Sequence, residues 1–349
     1  MTLNQSRLFR TLKTLDIFVD RALNIEYPAK GLSGFQYNRD LLKAAVANSY
    51  LETVGNRADS IHLAIKKGKI SDIVWAFHDT VQTVGSRFGL KEKNVVLAFD
   101  YTDEDFYGEI NSLWIHGYTG EHAVKGKFKF LSCSIINSDI PEKIPLISIP
   151  VMQGHCMAQM VTWCLIIIKP LVNSVILSIY DRGFYSKDLM LTLTHASVPY
   201  LIFIKKDSKI KKELDSLKES EKKKIAYCFK LNKDMTVIKG ETTLALLKQI
   251  FDKKAQKSFD WAFATNQDEI NLDTIIPSYK RRWRIETGFR VQDEARISSK
   301  SKEMKIRYFF FAYEQVLQLL WTALYKEDAP FKQFLLEIYE LANARYHEP

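Results

Sequence analysis

The sequence predicts a mixed α/β fold, and three observations predict it. Short β-branched and apolar runs recur through the middle of the chain, stretches with helical periodicity precede and separate them, and a strongly apolar helical tail follows. Residues 1 to about 90 read as helical, with apolar residues three and four apart at Leu8, Leu12, Leu15, Ile17 and Phe18, and again at Leu41, Leu42, Ala45 and Val46. Within this region residues 49–68, SYLETVGNRADSIHLAIKKG, have the cadence of helix, Gly55-Asn56 turn and second helix carrying Ser60, His62, Lys66 and Lys67. A DNA-binding helix-turn-helix and a plain helical hairpin with a solvated basic end both fit that pattern.

The character changes at Lys93, where NVVLAFDYTD reads as a buried strand. Strand runs follow at 112–118 and 128–136, then a crossover helix at 157–168 before Pro170, and a buried strand SVILSIYD at 174–181. Residues 186–197 read as a helix capped by Ser186, and 199–206 as a strand. The charged stretch from Lys205 to Lys224 is an exposed insertion, either a solvated face or a DNA-backbone contact. After it come a small β-element (YCFKLNKDMTVIKG), a helix (ETTLALLKQIFDKKAQK), a core strand at 261–266, and a long helix from near Pro277. The tail from Ile306 to Tyr325 is helical in period, and Glu314 in it reads as a helix-surface residue rather than a catalyst.

The 349 residues carry 50 Lys and Arg against 41 Asp and Glu, a net +9 that favours a polyanionic partner. Cys133, Cys156, Cys164 and Cys228 show no CxxC spacing, so reduced and mostly buried thiols are expected rather than a zinc site. The longest apolar tract, 164–180, is broken by Lys169, Pro170 and Asn173, and the amphipathic N-terminus does not resemble a signal peptide. A cytoplasmic, DNA-facing protein with no membrane span is the expectation.

Two acids share a context. Asp100 and Asp181 each end an apolar run and are followed by polar or small residues, and carboxylates at strand ends sit where ligands bind. Gly183 permits a sharp turn out of the second strand. The third element is residues 278–300, SYKRRWRIETGFRVQDEARISSK, where a helix would align Tyr279, Arg282, Glu286, Arg290 and Asp293 in one polar stripe. An i,i+4 ion-pair ladder would explain part of it. From Lys280 to Arg307, however, ten basic residues face four acidic ones, an excess better matched to phosphates. Asp103, Glu104 and Asp105 are rivals to Asp100, with Asp103 the foremost auxiliary acid. His116 is expected to be structural.

These features resemble the prokaryotic insertion-sequence transposases with a DDE site, whose last acid lies in a Y-x2-R-x3-E-x6-K signature. Tyr279, Arg282 and Glu286 fall at its spacing. Asp100 to Gly108, DRGFYS from Asp181, and the WAFATN strand add to the likeness, which covers roughly residues 90 to 325 and looks closest to the archaeal haloarchaeal-type branch. The signature's terminal Lys falls on Asp293, with Arg290 or Arg296 as candidate substitutes.

The resemblance implies a ribonuclease-H-like mixed sheet with a β-containing insertion. Combined with the element pattern above, it leads to the expected organisation of a helical, DNA-binding region at 1–90, a catalytic domain at 91–300 with its insertion at about 205–258, and C-terminal helices at 301–349. It further implies that Asp100, Asp181 and Glu286 hold two Mg²⁺ or Mn²⁺ ions about 3.5–4 Å apart. Tyr279, Arg282, Arg290 and Arg296 would contact DNA. The partners would be double-stranded DNA, as inverted-repeat ends and target, and a second copy of the chain, at the nucleoid. A nuclease or resolvase without strand transfer, and a DNA-binding derivative with decayed chemistry, are the competing expectations.

Overall fold

A computed structural model describes residues 3–25, 34–117, 123–137, 143–233 and 236–347. Tyr118 of the second expected strand and Asp234 and Met235 of the expected β-element lie outside them. The first third is helical, as its periodicity predicts: α1 (Gln5–Ala22), α2 (Gly34–Ala47), α3 (Leu51–Val54), α4 (Ala58–Lys67) and α5 (Ile70–Gly85). The Asn4 side chain accepts from the Arg7 N–H and caps α1, which buries Leu8, Leu12, Leu15, Phe18 and Val19 along one face. The segment at 49–68 is a single helical turn, α3, followed by α4. Ile61 and Ile65 of α4 point into the core, a packing that the helix-turn-helix and the plain hairpin share.

The sheet contains β1 (Asn94–Phe106), β2 (Ile115–Gly117), β3 (Gly126–Ile135) and β4 (Ile144–Val151). Helix α6 (Met157–Ile168) then crosses to β5 (Ser174–Tyr180), and α7 (Lys187–His195) to β6 (Tyr200–Phe203). Both β1–β5 and β5–β6 are parallel, as crossover helices require, whereas β1–β3 and β3–β4 are antiparallel. A second unit follows: α8 (Ser208–Asp215), β7 (Lys222–Lys233), β8 (Thr236–Asp252) and β9 (Lys257–Thr265). Here β9 pairs antiparallel with β6, giving the order β2-β3-β1-β5-β6-β9-β8-β7 with β4 on β3. The chain closes with α9 (Ile275–Lys280), α10 (Trp283–Gln292), α11 (Met304–Leu324) and α12 (Phe331–His347). This is a mixed sheet with helical ends, the expected ribonuclease-H-like arrangement.

Three local expectations are corrected, and one strand, β4, was not predicted. ETTLALLKQIF belongs to β8, not to a helix, because β7 and β9 pair with it on both sides and outweigh its local helical composition. The ladder with β9 shifts register between Leu247 and Ile250, and Gln249 there has a φ of 45°. IPLISIPV forms β4, which two prolines disguise. It pairs on β3 alone, and an edge strand tolerates proline. β1 does not end at Asp100 but runs to Phe106, paired throughout with β3. Glu314 is buried, not on a helix surface. Its carboxyl accepts from the Ile297 N–H at 2.7 Å and from Gln292 at 3.2 Å, tying the segment after α10 to α11.

Burial pushes the Glu314 carboxyl well above its ordinary range, against the lowering effect of those hydrogen bonds. An acid with a raised folded pKa favours the folded state at low pH and loses that contribution as pH rises through the folded value. Glu314→Gln keeps the acceptor for Ile297 without the charge. It is therefore expected to gain stability over the wild type as pH rises above the usual carboxylate range. Glu314→Ala, which orphans a buried N–H, should cost about 2–4 kcal/mol in denaturant titrations.

Candidate active site

The two aspartates meet through strand register. Phe99 and Tyr180 are partners across parallel β1 and β5, so Asp100 and Asp181 occupy the next positions on adjacent chains. Strand alternation then decides the face. Val96 and Ala98 pack with Ile275, Tyr279 and Ile285 of α9 and α10, and Asp100, two residues on, points to the same side. Past Asp100, Thr102 and Glu104 pair with Phe130 and Phe128. Phe130 stacks on Phe311 of α11, and Glu104 meets Arg307 there. Asp100 thus lies between the coverage of α10 and that of α11. Asp181 takes the first position beyond β5, where its Oδ1 accepts from the Gly183 N–H at 2.8 Å. A Cβ at Gly183 would stand 3.1 Å from that same oxygen, so close approach is what position 183 requires.

The helix expected from Pro277 is interrupted: α9 ends at Lys280 and α10 begins at Trp283, with Arg282 as its N-cap residue. Tyr279 and Glu286 consequently do not share one stripe. Tyr279 is buried, its ring packed against Phe203, Phe263 and Trp261. The ring is thus core packing, while its hydroxyl interacts with the Arg282 guanidinium. Arg282 is 7% exposed and spans two acids. One guanidinium nitrogen donates to Asp100 Oδ2 at 2.9 Å and another to Glu286 Oε1 at 2.7 Å. Glu286 keeps about half of its side chain in solvent (49%). Arg290, Asp293 and Arg296 are exposed.

The rival acids are engaged elsewhere. Asp103 and Asp105 point to the opposite face from Asp100, and both lie near Lys127, at 3.7 and 3.8 Å. Glu104 shares the face of Asp100 but is paired with Arg307 at 3.2 Å. His116 Nε2 bonds to the Val151 carbonyl at 2.9 Å and ties β2 to β4, a structural role. Cys133 and Cys164 are buried and Cys156 is partly so, while Cys228 is exposed. All four are free thiols. One residue was not visible in the sequence. Lys143, in an unremarkable loop before β4, is buried beneath α10, and Asp100 is the acid whose field reaches it.

Burial, and then repulsion from Asp181 and Glu286, lift the Asp100 carboxyl to about 6, although Arg282 pulls it down. Three mutually repelling oxygen donors suit a hard divalent cation such as Mg²⁺ or Mn²⁺, which would relieve that repulsion. Among the described residues no three His, Cys, Asp or Glu are yet drawn together closely enough to hold an ion. The Arg282 guanidinium spans Asp100 and Glu286 instead. The donor chemistry fits, and closing the site would require Arg282 and Glu286 to shift.

A raised acid pKa stabilises the fold below the unfolded value near 3.8, and the contribution disappears as pH rises through about 6. Without added metal, Asp100→Asn should therefore melt above the wild type at pH 8, by up to about 3 kcal/mol. The difference should vanish near pH 4. A wild-type advantage at pH 8 would show that the Arg282 ion pair outweighs burial and repulsion.

The family described as Transposase DDE domain matches residues 156–313, a little under half of the chain. No curated protein matches it. A cryo-EM structure of a piggyBac transposase synaptic complex with hairpin DNA is similar to it, with a TM-score of 0.55 and 12% identity. The likeness covers 98% of this chain and 81% of that one, and is one of fold. Among the described residues no helix is long and apolar enough to cross a membrane. A DNA transposase, an enzyme with a DDE domain on a ribonuclease-H-like fold, is the function that the domain match supports and with which the shared fold agrees.

Proposed function

We propose that the protein is an insertion-sequence transposase that cleaves and joins DNA at the ends of its own element, with Asp100, Asp181 and Glu286 as its catalytic carboxylates. The observation that carries this assignment is the convergence of two distant acids, Asp100 and Glu286, on one buried arginine beside the strand end bearing Asp181. Asp100, Asp181 and Glu286 are the residues that would hold the ions. The ions, when bound, supply an activated water, stabilisation of the pentacovalent phosphate and neutralisation of the leaving oxygen. The protein's own part is to keep the acids together. Arg282 spans two of them, and Tyr279, 5.8 Å from the guanidinium, lines its inner side.

Arg290 and Arg296 are exposed and would meet DNA phosphates. Asp293 stands where the Y-R-E-(K) signature has lysine. Arg296, whose charge is felt at Asp293, is our choice for the missing clamp. The resemblance to the haloarchaeal-type branch, action at the nucleoid and a dimer on paired DNA ends belong to the same proposal. The piggyBac structure is a synaptic complex with hairpin DNA, which supports testing a paired-end assembly here. A nuclease or resolvase would use the same acids, and only its products would differ.

With Mn²⁺ and DNA bearing the element's inverted ends, the wild type is expected to yield joined strands. Asp100→Asn, Asp181→Asn and Glu286→Gln should each lower cleavage at least about a thousandfold while retaining DNA binding. Cleavage that persists in one variant removes that residue from the site. Cutting without joining would favour the nuclease. Arg290→Ala and Arg296→Ala should each weaken DNA binding across sequences and reduce the salt slope by about one, as measured by fluorescence anisotropy between 50 and 200 mM salt.

A further inference from the structure

Lys143 is 5% exposed, a setting lysine seldom occupies without a compensating partner. Its Nζ points to the Ile285 carbonyl at 3.4 Å and lies 4.2 Å from the centre of the Phe289 ring. The stem fills the place where residue 288 would carry a Cβ. A methyl at Gly288 would stand 2.3 Å from Lys143 Cδ and 2.5 Å from both Cε and Nζ. Ile285, Gly288 and Phe289 form one face of α10 by their three- and four-residue spacing. The lysine itself is anchored, because the next residue, Ile144, opens β4 and pairs with Ile135 of β3. A methionine would fill the same space without burying an amine, so the hydrogen bond and the charge have a task beyond packing.

We propose that Lys143 is a positioning residue for Glu286: threaded under Gly288 and held to Ile285 and Phe289, it pegs α10 to the sheet and fixes where Glu286 stands relative to Asp100. This rests on the assignment of Glu286 as a metal-holding acid. The sequence around Glu286 agrees with it, since glycine two residues on is what lets the lysine stem pass. Burial lowers the ammonium's pKa to about 7, and the Asp100 carboxylate opposes that fall, which places the amine on the Asp100 side of α10.

The test uses the full chain and Lys143→Met, with three measurements: Mn²⁺ binding by EPR titration, hydrogen exchange of the α10 amides, and single-turnover cleavage over a range of DNA concentrations. The variant is expected to melt within a few degrees of the wild type and to bind Mn²⁺ about tenfold or more weakly. Exchange should be faster in 283–292 but not in β1 or α11. The cleavage rate at saturating DNA should fall while the DNA concentration for half-saturation stays unchanged. Wild-type Mn²⁺ affinity together with wild-type exchange in α10 overturns the proposal. If Lys143→Met does not fold, Gly288→Ala decides, since it keeps the amine but crowds its stem. The same losses support the peg, and their absence overturns it. If the wild type itself takes up no Mn²⁺, the metal assignment of Glu286 has failed, and the exchange measurement alone then judges the peg.

Discussion

The site depends on one electrostatic constraint: acids that repel one another must be kept together although one of them, Asp100, is largely shielded from water. Asp100 carries the strain, its ionisation opposed by burial and by two neighbouring carboxylates. Arg282 offsets part of it by donating to Asp100 and Glu286 together. A guanidinium suits that task because its planar fork presents several donors at fixed angles and stays charged when buried. One monovalent cation cannot neutralise three acids, however, and the carboxyl of Asp100 remains lifted. On the proposed assignment, a divalent cation that relieves this repulsion would bind the more tightly for it.

The rest of the fold holds the parts of that site from several directions. Sheet register brings Asp100 beside Asp181 without any local sequence contact, because parallel β1 and β5 need a crossover between them. On one side Tyr279 and Ile285 pack on Val96 and Ala98, and Lys143 lies under α10. On the other, α11 is nearly all buried, stacking Phe309 on the N-terminal Phe18 and Phe311 on Phe130 of the sheet. N-terminal helices, sheet and α11 therefore share one continuous core. Glu314, its carboxyl pushed up by burial, fastens the segment between α10 and α11 to that core.

Legibility in the sequence followed the range of the interactions. Elements decided by local pattern were visible: α1 by its apolar spacing, α7 by the Ser186 cap, β5 by its β-branched run, and the carboxylates by their contexts. Elements decided by partners were not. β8 reads as a helix until β7 and β9 are placed beside it, and β4 is masked by Pro145 and Pro150 until its edge position is known. Asp100 seemed to end a strand because polarity changes there, yet β3 carries the ladder on to Phe106. Lys143 had no sequence signal at all. Its meaning comes from the Gly288 it lies under, a contact across 145 positions.

The break between α9 and α10 gives the tyrosine–arginine–glutamate spacing a different physical sense from a single helical stripe. Seven residues along an unbroken helix return to nearly the same face, so Tyr279 and Glu286 would be buried together or exposed together. They are not: Tyr279 is 4% exposed and the Glu286 side chain 49%. The turn at Arg281 and Arg282 lets the tyrosine ring enter the aromatic cluster of β6 and β9 while the glutamate faces the acids and solvent. Arg282 falls at the junction, and its side chain reaches Asp100 on the sheet and Glu286 on the helix together. The spacing therefore encodes an anchor, a junction and an outward-facing acid. An acid half in solvent beside a fixed anchor has room to move without disturbing the core.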